Sequence, residues 1–134
     1  MLLMMLLACS DGPTSNDPFV CSEGQDCSWT CEGDCDLTCE ADTLCEADCD
    51  ADATCALTSE GTSVYVDCTD ATVCNVSCGP TEDCEVICGG NVECSVACPS
   101  DNCTVRACDF GQGCLVTCGG SGAPTLSGLN ATCP

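Results

Sequence analysis

Cysteine is the residue type through which this chain could do chemistry. The sequence holds 21 Cys among 134 residues, with no His and a single basic residue, Arg106. Without a His or Lys to act as a base, nucleophilic catalysis lacks its usual partner. Thiolate metal sites favour Cys-x-Cys or Cys-x2-Cys spacing, which the sequence does not contain. The composition therefore favours disulfides and an oxidising compartment, with thiol metal binding as a lesser alternative.

The cysteines belong to a pattern, Cys-x-apolar-x-Cys, that occurs ten times and mostly recurs every ten residues. Alternate residues of a strand share a face, so each copy would turn Cys, apolar residue and Cys inward. Such alternation between Gly, Pro or acidic turns predicts short strands, and many copies at a short period are typical of a solenoid. The central residues are Trp29, Leu37, Ala47, Leu57, Val66, Val76, Val86, Val96, Val105 and Val116.

Two defective copies identify the disulfide partners. The fourth copy ends in Ser59 and the fifth begins with Val64, each in place of an expected Cys, with one turn between them. If the last Cys of each copy bonds the first Cys of the next, one missing bridge explains both losses. The predicted pairs are Cys21–Cys27, Cys31–Cys35, Cys39–Cys45, Cys49–Cys55, Cys68–Cys74, Cys78–Cys84, Cys88–Cys94, Cys98–Cys103, Cys108–Cys114 and Cys118–Cys133. This rule leaves only Cys9 over.

Two other pairing rules fit less well. Joining the first Cys of one copy to the last Cys of the next would strand Cys45 and Cys78. Joining the two ends of one copy would span roughly 13 Å at about 3.3 Å per residue, whereas disulfide Cα atoms lie about 4.4–6.8 Å apart. Because the central side chains are too few and small for a large core, we expect the bridges to be structural.

These features predict an all-β fold, a small disulfide-stapled β-solenoid (β-helix) of about ten short strands with a period of about ten residues. Coils of about 20 residues with two strands, coils of about 30 with three, and an antiparallel meander remain open, and the parallel solenoid is favoured. The Val-centred second half is expected to be the more regular one.

The stapled repeats resemble the disulfide-rich β-solenoids of insect antifreeze proteins. That resemblance implies the staple and not the activity, because the outward Thr-x-Thr rows of that family are absent here. The outward positions instead include Asp36, Glu46, Asp48, Asp67 and Glu85. An antifreeze-like protein is therefore a minor alternative.

The N-terminus carries a localisation signal. Its short apolar run ends with Leu6, Leu7 and Ala8 before Cys9, and it resembles the lipobox of bacterial lipoproteins. The resemblance implies a signal peptide over residues 1–8, lipidation of Cys9, for example with palmitate, and, from Ser10, the outer membrane or cell surface. An ordinary cleaved signal or an N-terminal strand are the alternatives. Residues 9–20 then hold the lipidated Cys and a flexible tether, residues 21–118 the repeats, and residues 119–134 a C-terminal cap.

Charge restricts the partners. The 22 acidic residues against Arg106 give a formal net charge of −21, which disfavours nucleic acid as a partner. Acidic residues occur in almost every turn, and an even spread is typical of a solvated surface rather than of paired catalytic carboxylates. Acidic turns such as residues 46–52 and Glu82-Asp83 do offer oxygen ligands for calcium, although no EF-hand loop is present.

We therefore expect a non-enzymatic cell-envelope lipoprotein without a cofactor, attached to the membrane through its N-terminal lipid. Its rigid acidic solenoid would act as a structural or interaction scaffold for an unidentified protein or envelope partner. An extracellular calcium-binding repeat protein is the alternative. Trp29 is expected in the core near the N-terminal end, and Arg106 is expected to pair with a carboxylate.

Overall fold

The predicted all-β solenoid is confirmed. A computed structural model describes residues 18–79, 83–90, 92–98, 102–119 and 123–133. The regular elements among these residues are all strands, joined by short turns, and no helix among them is long and apolar enough to cross a membrane. The strands are β1 (Phe19–Cys21), β2 (Asp26–Cys31), β3 (Asp34–Cys39), β4 (Leu44–Cys49), β5 (Thr54–Ser59), β6 (Ser63–Asp67), β7 (Val73–Cys78), β8 (Asp83–Ile87), β9 (Glu93–Cys98), β10 (Cys103–Arg106), β11 (Cys114–Cys118), β12 (Thr125–Ser127) and β13 (Asn130–Cys133).

Successive strands alternate between two sheets. The first sheet has the order β1-β3-β5-β7-β9-β11 and is parallel throughout, while the second has the order β12-β13-β10-β8-β6-β4-β2. In the first sheet Cys35 aligns with Cys55, and Cys55 aligns with Cys74, so one coil takes about 20 residues. Each coil thus holds two strands, which makes the two-strand parallel solenoid the correct choice among the three architectures.

The core lies between the inner faces of the two sheets. All ten central residues are buried, and none is more than 6% exposed. Trp29 lies at the N-terminal end, as predicted, where its ring packs edge-on against Phe19 with 5.1 Å between centroids. Since each coil contributes only one central side chain per sheet, the cysteines supply much of the remaining buried surface.

Disulfides line both edges of the solenoid. Ten bridges are present, and they join the ten pairs given by the adjacent-copy rule, with Cα separations of 5.4–6.5 Å. Nine of them join the end of a strand in one sheet to the next strand in the other sheet. The tenth, Cys118–Cys133, joins β11 to β13. Every edge turn between β1 and β11 is bridged except the turn from β5 to β6.

Several acidic turn residues have a backbone role. Asp42 and Asp52 have φ angles of 57° and 65°, and Gly24 occupies the equivalent place of another turn with φ 79°. Residues other than glycine rarely adopt this left-handed backbone conformation, and Asp is among the few that tolerate it. These two aspartates are therefore explained by the shape of the turn.

The expectation that the second half would be more regular is wrong. Strands β2 to β5 each contain six residues with strict in-out alternation, whereas β10 contains four. Strand β10 ends at Arg106 because the next residue, Ala107, has φ 51°. This extra residue brings Cys108 back to the interior, where it is fully buried. The length of β10 is therefore set by the position at which the backbone turns, and not by the identity of the central residue.

The C-terminal hairpin departs from the parallel pairing of the coils, because β13 runs against their direction. Strand β13 pairs antiparallel with β10, and β12 pairs antiparallel with β13. This short hairpin continues the second sheet beyond β10 and covers an edge that would otherwise present unpaired backbone groups.

Candidate functional site

The two outer faces of the solenoid differ in charge. At the two outward positions inside each repeat copy, the first sheet carries mostly small neutral residues, namely Asp36, Thr38, Ala56, Thr58, Asn75, Ser77, Ser95, Ala97, Leu115 and Thr117. The second sheet carries Ser28, Thr30, Glu46, Asp48, Tyr65, Asp67, Glu85, Ile87, Thr104 and Arg106. At these positions the first sheet therefore carries one charged residue and the second sheet carries five. The sequence places acidic residues in almost every turn, whereas those at the outward strand positions lie mostly on the second sheet, because alternate copies fold onto opposite faces.

A tyrosine lies between two carboxylates on the second sheet. Glu46, Tyr65 and Glu85 are aligned on β4, β6 and β8. Neighbouring strands are about 4.8 Å apart, so each glutamate is a direct neighbour of the tyrosine. Arg106 reaches the Glu85 side of this row, with its Nε 3.1 Å from Glu85 Oε1. The predicted pairing of Arg106 with a carboxylate is confirmed.

A shallow depression lies on the other side of the tyrosine. It has a volume of about 410 Å³ and is lined by Asp26, Cys27, Ser28, Leu44, Cys45, Glu46, Ser63 and Tyr65. Leu44 is 47% exposed and Tyr65 is 36% exposed. Apolar surface and carboxylates thus meet in one place on the second sheet.

The charges around Tyr65 act on its hydroxyl. Partial burial raises the pKa of Tyr65 above its ordinary value, and the carboxylates of Asp67, Glu85 and Glu46 raise it further. Arg106 lowers it. The pKa of Tyr65 is therefore raised first by desolvation and then by the negative charge that predominates around it.

A second group of carboxylates lies at the end of β4. Asp48 aligns with Asp67 on the next strand. Desolvation by burial raises the pKa of Asp48, and Asp67, Asp50, Asp70 and Glu46 raise it further. Asp67 Oδ1 accepts hydrogen bonds from the backbone N–H and the hydroxyl of Thr69 at 3.0 and 2.6 Å. This corner of the solenoid therefore carries mutual repulsion that a bound cation would relieve.

Groups that could hold a metal ion are few among the described residues. Three ligand atoms within 4.8 Å of one another occur in two cysteine groups, Cys78, Cys84, Cys103 and Cys88, Cys94, Cys114. All six of these cysteines are in disulfides, so they offer no thiolate. In the described ranges the carboxylates do not gather three oxygens in this way.

Sequence reasoning placed the cysteines but missed the face around Tyr65. Cys9 and Glu82 lie outside the described residues. Leu44 and Tyr65 were not singled out, because they converge only when copies two apart in sequence stack. The sequence does contain a signal for this face. If every second copy is compared, the outward positions of one set are mostly acidic and those of the other set mostly neutral. Buried Thr43 was also missed; its hydroxyl donates to the Glu40 carbonyl at 2.7 Å.

Comparison with known proteins gives no relative from which a function could be transferred. A scan against protein-family models found no match, and neither did searches of curated proteins and of solved structures.

Proposed function

We propose that this protein is a non-enzymatic cell-envelope lipoprotein whose solenoid serves as a rigid acidic scaffold. The observation that carries the proposal is the pair of disulfide ladders, which fastens both edges of the coils. Bridges of this number persist in oxidising compartments and are rare in the cytosol. Twenty cysteines joined in such bridges make a small chain resistant to unfolding outside the cell.

Attachment through Cys9 supports the envelope location. The ten disulfides account for twenty of the 21 cysteines, and the remaining one is the residue that the lipobox-like run would present for lipidation. The expected tether over residues 9–20 is too long, because Phe19–Cys21 form β1 and pair with β3. A flexible segment of the length of residues 9–18 has an end-to-end distance of about 17 Å. It would hold the solenoid close to the membrane and leave its faces accessible.

The residue inventory supports a non-enzymatic role. The chain has no His and no Lys, and Arg106 contacts Glu85. A nucleophile would lack the usual base to activate it. The outward carboxylates of the second sheet are better suited to binding a partner than to acting as a catalytic pair. The acidic face they form would attract a partner of opposite charge.

Lipid labelling tests the attachment. When the protein is expressed in a bacterium fed labelled palmitate, we expect label on the wild type and none on Cys9→Ser. The matched control is Ser10→Ala, which should keep the label. Ser10→Asp should keep it too but move the protein from the outer to the inner membrane fraction. An unlabelled wild-type protein recovered without the apolar run would instead identify an ordinary cleaved signal.

Calcium binding is the second candidate, and the alignment of Asp48 with Asp67 on neighbouring strands favours it. A divalent cation would relieve the repulsion among Asp48, Asp67, Asp50 and Asp70. Calorimetry with calcium chloride would then show heat for the wild type and less for Asp48→Asn. An absence of heat together with an unchanged melting temperature would remove this candidate.

A further inference from the structure

We define the Tyr65 face by Leu44, Glu46, Ser63, Tyr65 and Glu85. Of its two glutamates, only Glu85 has a basic side chain of this chain beside it. On the Glu85 side of the tyrosine, Arg106 supplies a guanidinium 3.1 Å from the carboxylate. On the Glu46 side the depression is lined by no basic residue. Arg106 is the only Lys or Arg in the whole sequence, so a cation beside Glu46 must come from another molecule.

The shape of the Glu46 side suits a long basic side chain. The depression has a volume of about 410 Å³ and is lined by two carboxylates, Asp26 and Glu46, together with the partly exposed side chains of Leu44 and Tyr65. Arg and Lys have an apolar stem and a charged head, and the stem covers apolar surface while the head meets a carboxylate. An inorganic cation would make no use of Leu44.

We propose that the Tyr65 face binds a basic side chain, preferably arginine, from an extended segment of a partner protein. The guanidinium lies between Glu46 and the ring of Tyr65, and its stem packs on Leu44. The arrangement repeats, on the open side of Tyr65, the contact that Arg106 makes with Glu85. This inference rests on the proposed scaffold role and names the chemistry of its partner.

Arginine is favoured over lysine for a geometric reason. The planar guanidinium stacks on aromatic rings and binds a carboxylate with two donors at once, whereas an ammonium is a compact, strongly hydrated point charge. The neighbouring carboxylates Asp26, Asp67 and Asp83 extend the negative charge along the same sheet. A segment with several basic residues therefore gains charge attraction beyond the single pocket, and its binding weakens steeply with salt.

The test is a calorimetric titration with a synthetic peptide of alternating Arg and Ser. The protein is the oxidised full chain carrying Cys9→Ser, so that neither lipid nor a thiol interferes. We expect binding at low ionic strength that is lost at high salt, and weaker binding of the matched Lys-Ser peptide. Tyr65→Ala should weaken the affinity about three- to tenfold, as loss of one cation–aromatic contact would.

Two charge-matched double variants separate a site from general attraction. Asp26→Asn with Glu46→Gln removes two charges at the depression, while Asp34→Asn with Asp36→Asn removes two charges on the outer face of the first sheet. The first pair should weaken binding about tenfold, corresponding to the loss of two ion contacts. At an ionic strength of about 0.1 M, where the Debye length is about 10 Å, the second pair should change the affinity less than about twofold, because charges on the opposite face are then largely screened.

Equal weakening by the two pairs would overturn the inference, since net charge alone would then explain the binding. No binding of the peptide to the wild type would overturn it too, as would Tyr65→Ala binding like the wild type. Circular dichroism and the disulfide map of each variant show whether the fold is intact. Palmitate labelling tests the lipoprotein proposal independently. If the wild type is labelled but does not bind the peptide, the binding site is contradicted and the lipoprotein proposal is not.

Discussion

Ser59 and Val64 occupy the place of a disulfide in the ladder along one edge of the solenoid. Ser59 is in register with a cysteine on each neighbouring strand, and Val64 is likewise aligned with a cysteine on both sides. The flanking positions are the bridged pairs Cys39–Cys45 and Cys78–Cys84. Both residues remain buried, so the coil keeps its shape where the bridge is missing.

Replacing both residues by cysteine should create an eleventh bridge. The flanking pairs have Cα separations of 6.5 and 6.4 Å, within the range that a disulfide spans. A bridge closing so short a loop contributes about 2 kcal/mol. The Gly61 N–H donates a hydrogen bond to Ser59 Oγ, and its loss costs about 1 kcal/mol. Urea unfolding of Ser59→Cys/Val64→Cys should therefore show a net gain of about 1 kcal/mol.

Non-reducing peptide mapping checks that bridge. The single variant Ser59→Cys is the control, because it loses the hydrogen bond without gaining a bridge and should be less stable than the wild type. A double variant that shows two free thiols would mean that the strand ends do not meet at this turn.

Gly61→Ala should destabilise the protein by about 1–3 kcal/mol through overpacking. A Cβ at Gly61 would lie 2.6 Å from Thr43 Oγ1 and 3.0 Å from the Thr43 carbonyl oxygen. Thr43 is fully buried and held by its own hydrogen bond, so it has little room to move. Thermal unfolding measures the effect, and Gly90→Ala is the matched control because a Cβ there meets nothing within 4 Å. Equal melting temperatures for the two variants would contradict this packing.

Asp48→Asn should stabilise the protein at neutral pH. The pKa of Asp48 is raised above 3.8 in the folded state, first by burial and then by Asp67, so the folded protein binds protons more readily than the unfolded chain. Stability therefore falls as pH rises through the window between the ordinary and the raised pKa, and the cost persists at neutral pH. Because Asp48 is exposed and screened, we expect the variant to gain only a few tenths of a kcal/mol.

Chemical denaturation of the wild type and Asp48→Asn at several pH values measures this gain. The difference should vanish well below pH 3.8, where Asp48 is protonated in both the folded and the unfolded chain, and it should shrink at high salt. A gain that is the same at every pH would point to packing instead of charge.

Trp29→Ala should cost about 3–5 kcal/mol, because it removes the largest side chain of the core and its edge-on contact with Phe19. Trp29→Phe keeps an aromatic ring, and among the described residues Trp29 Nε1 has no hydrogen-bond partner to lose. It should therefore cost less than about 1.5 kcal/mol. Urea unfolding compares the two, and similar losses for both would show that the indole N–H is paired.

Disulfide connectivity could be derived from the sequence because the constraint is local. A bridge across a turn depends on the few residues between two cysteines, and the paired losses at Ser59 and Val64 select one rule among three. Strand positions follow from the same pattern, since inward and outward residues alternate within each copy. Strand lengths were less predictable, because a single positive φ at Ala107 ends β10 early.

The sequence by itself determined the strands, the inward residues and the bridges of this protein, because each depends on neighbours within about ten residues. Only the tertiary structure decided how many strands make a coil, and hence which copies stack. That stacking separates a less acidic outer face from a more acidic one and brings Tyr65 between Glu46 and Glu85. These residues lie about 20 positions apart in sequence, and only the closed coil brings them to neighbouring strands about 4.8 Å apart.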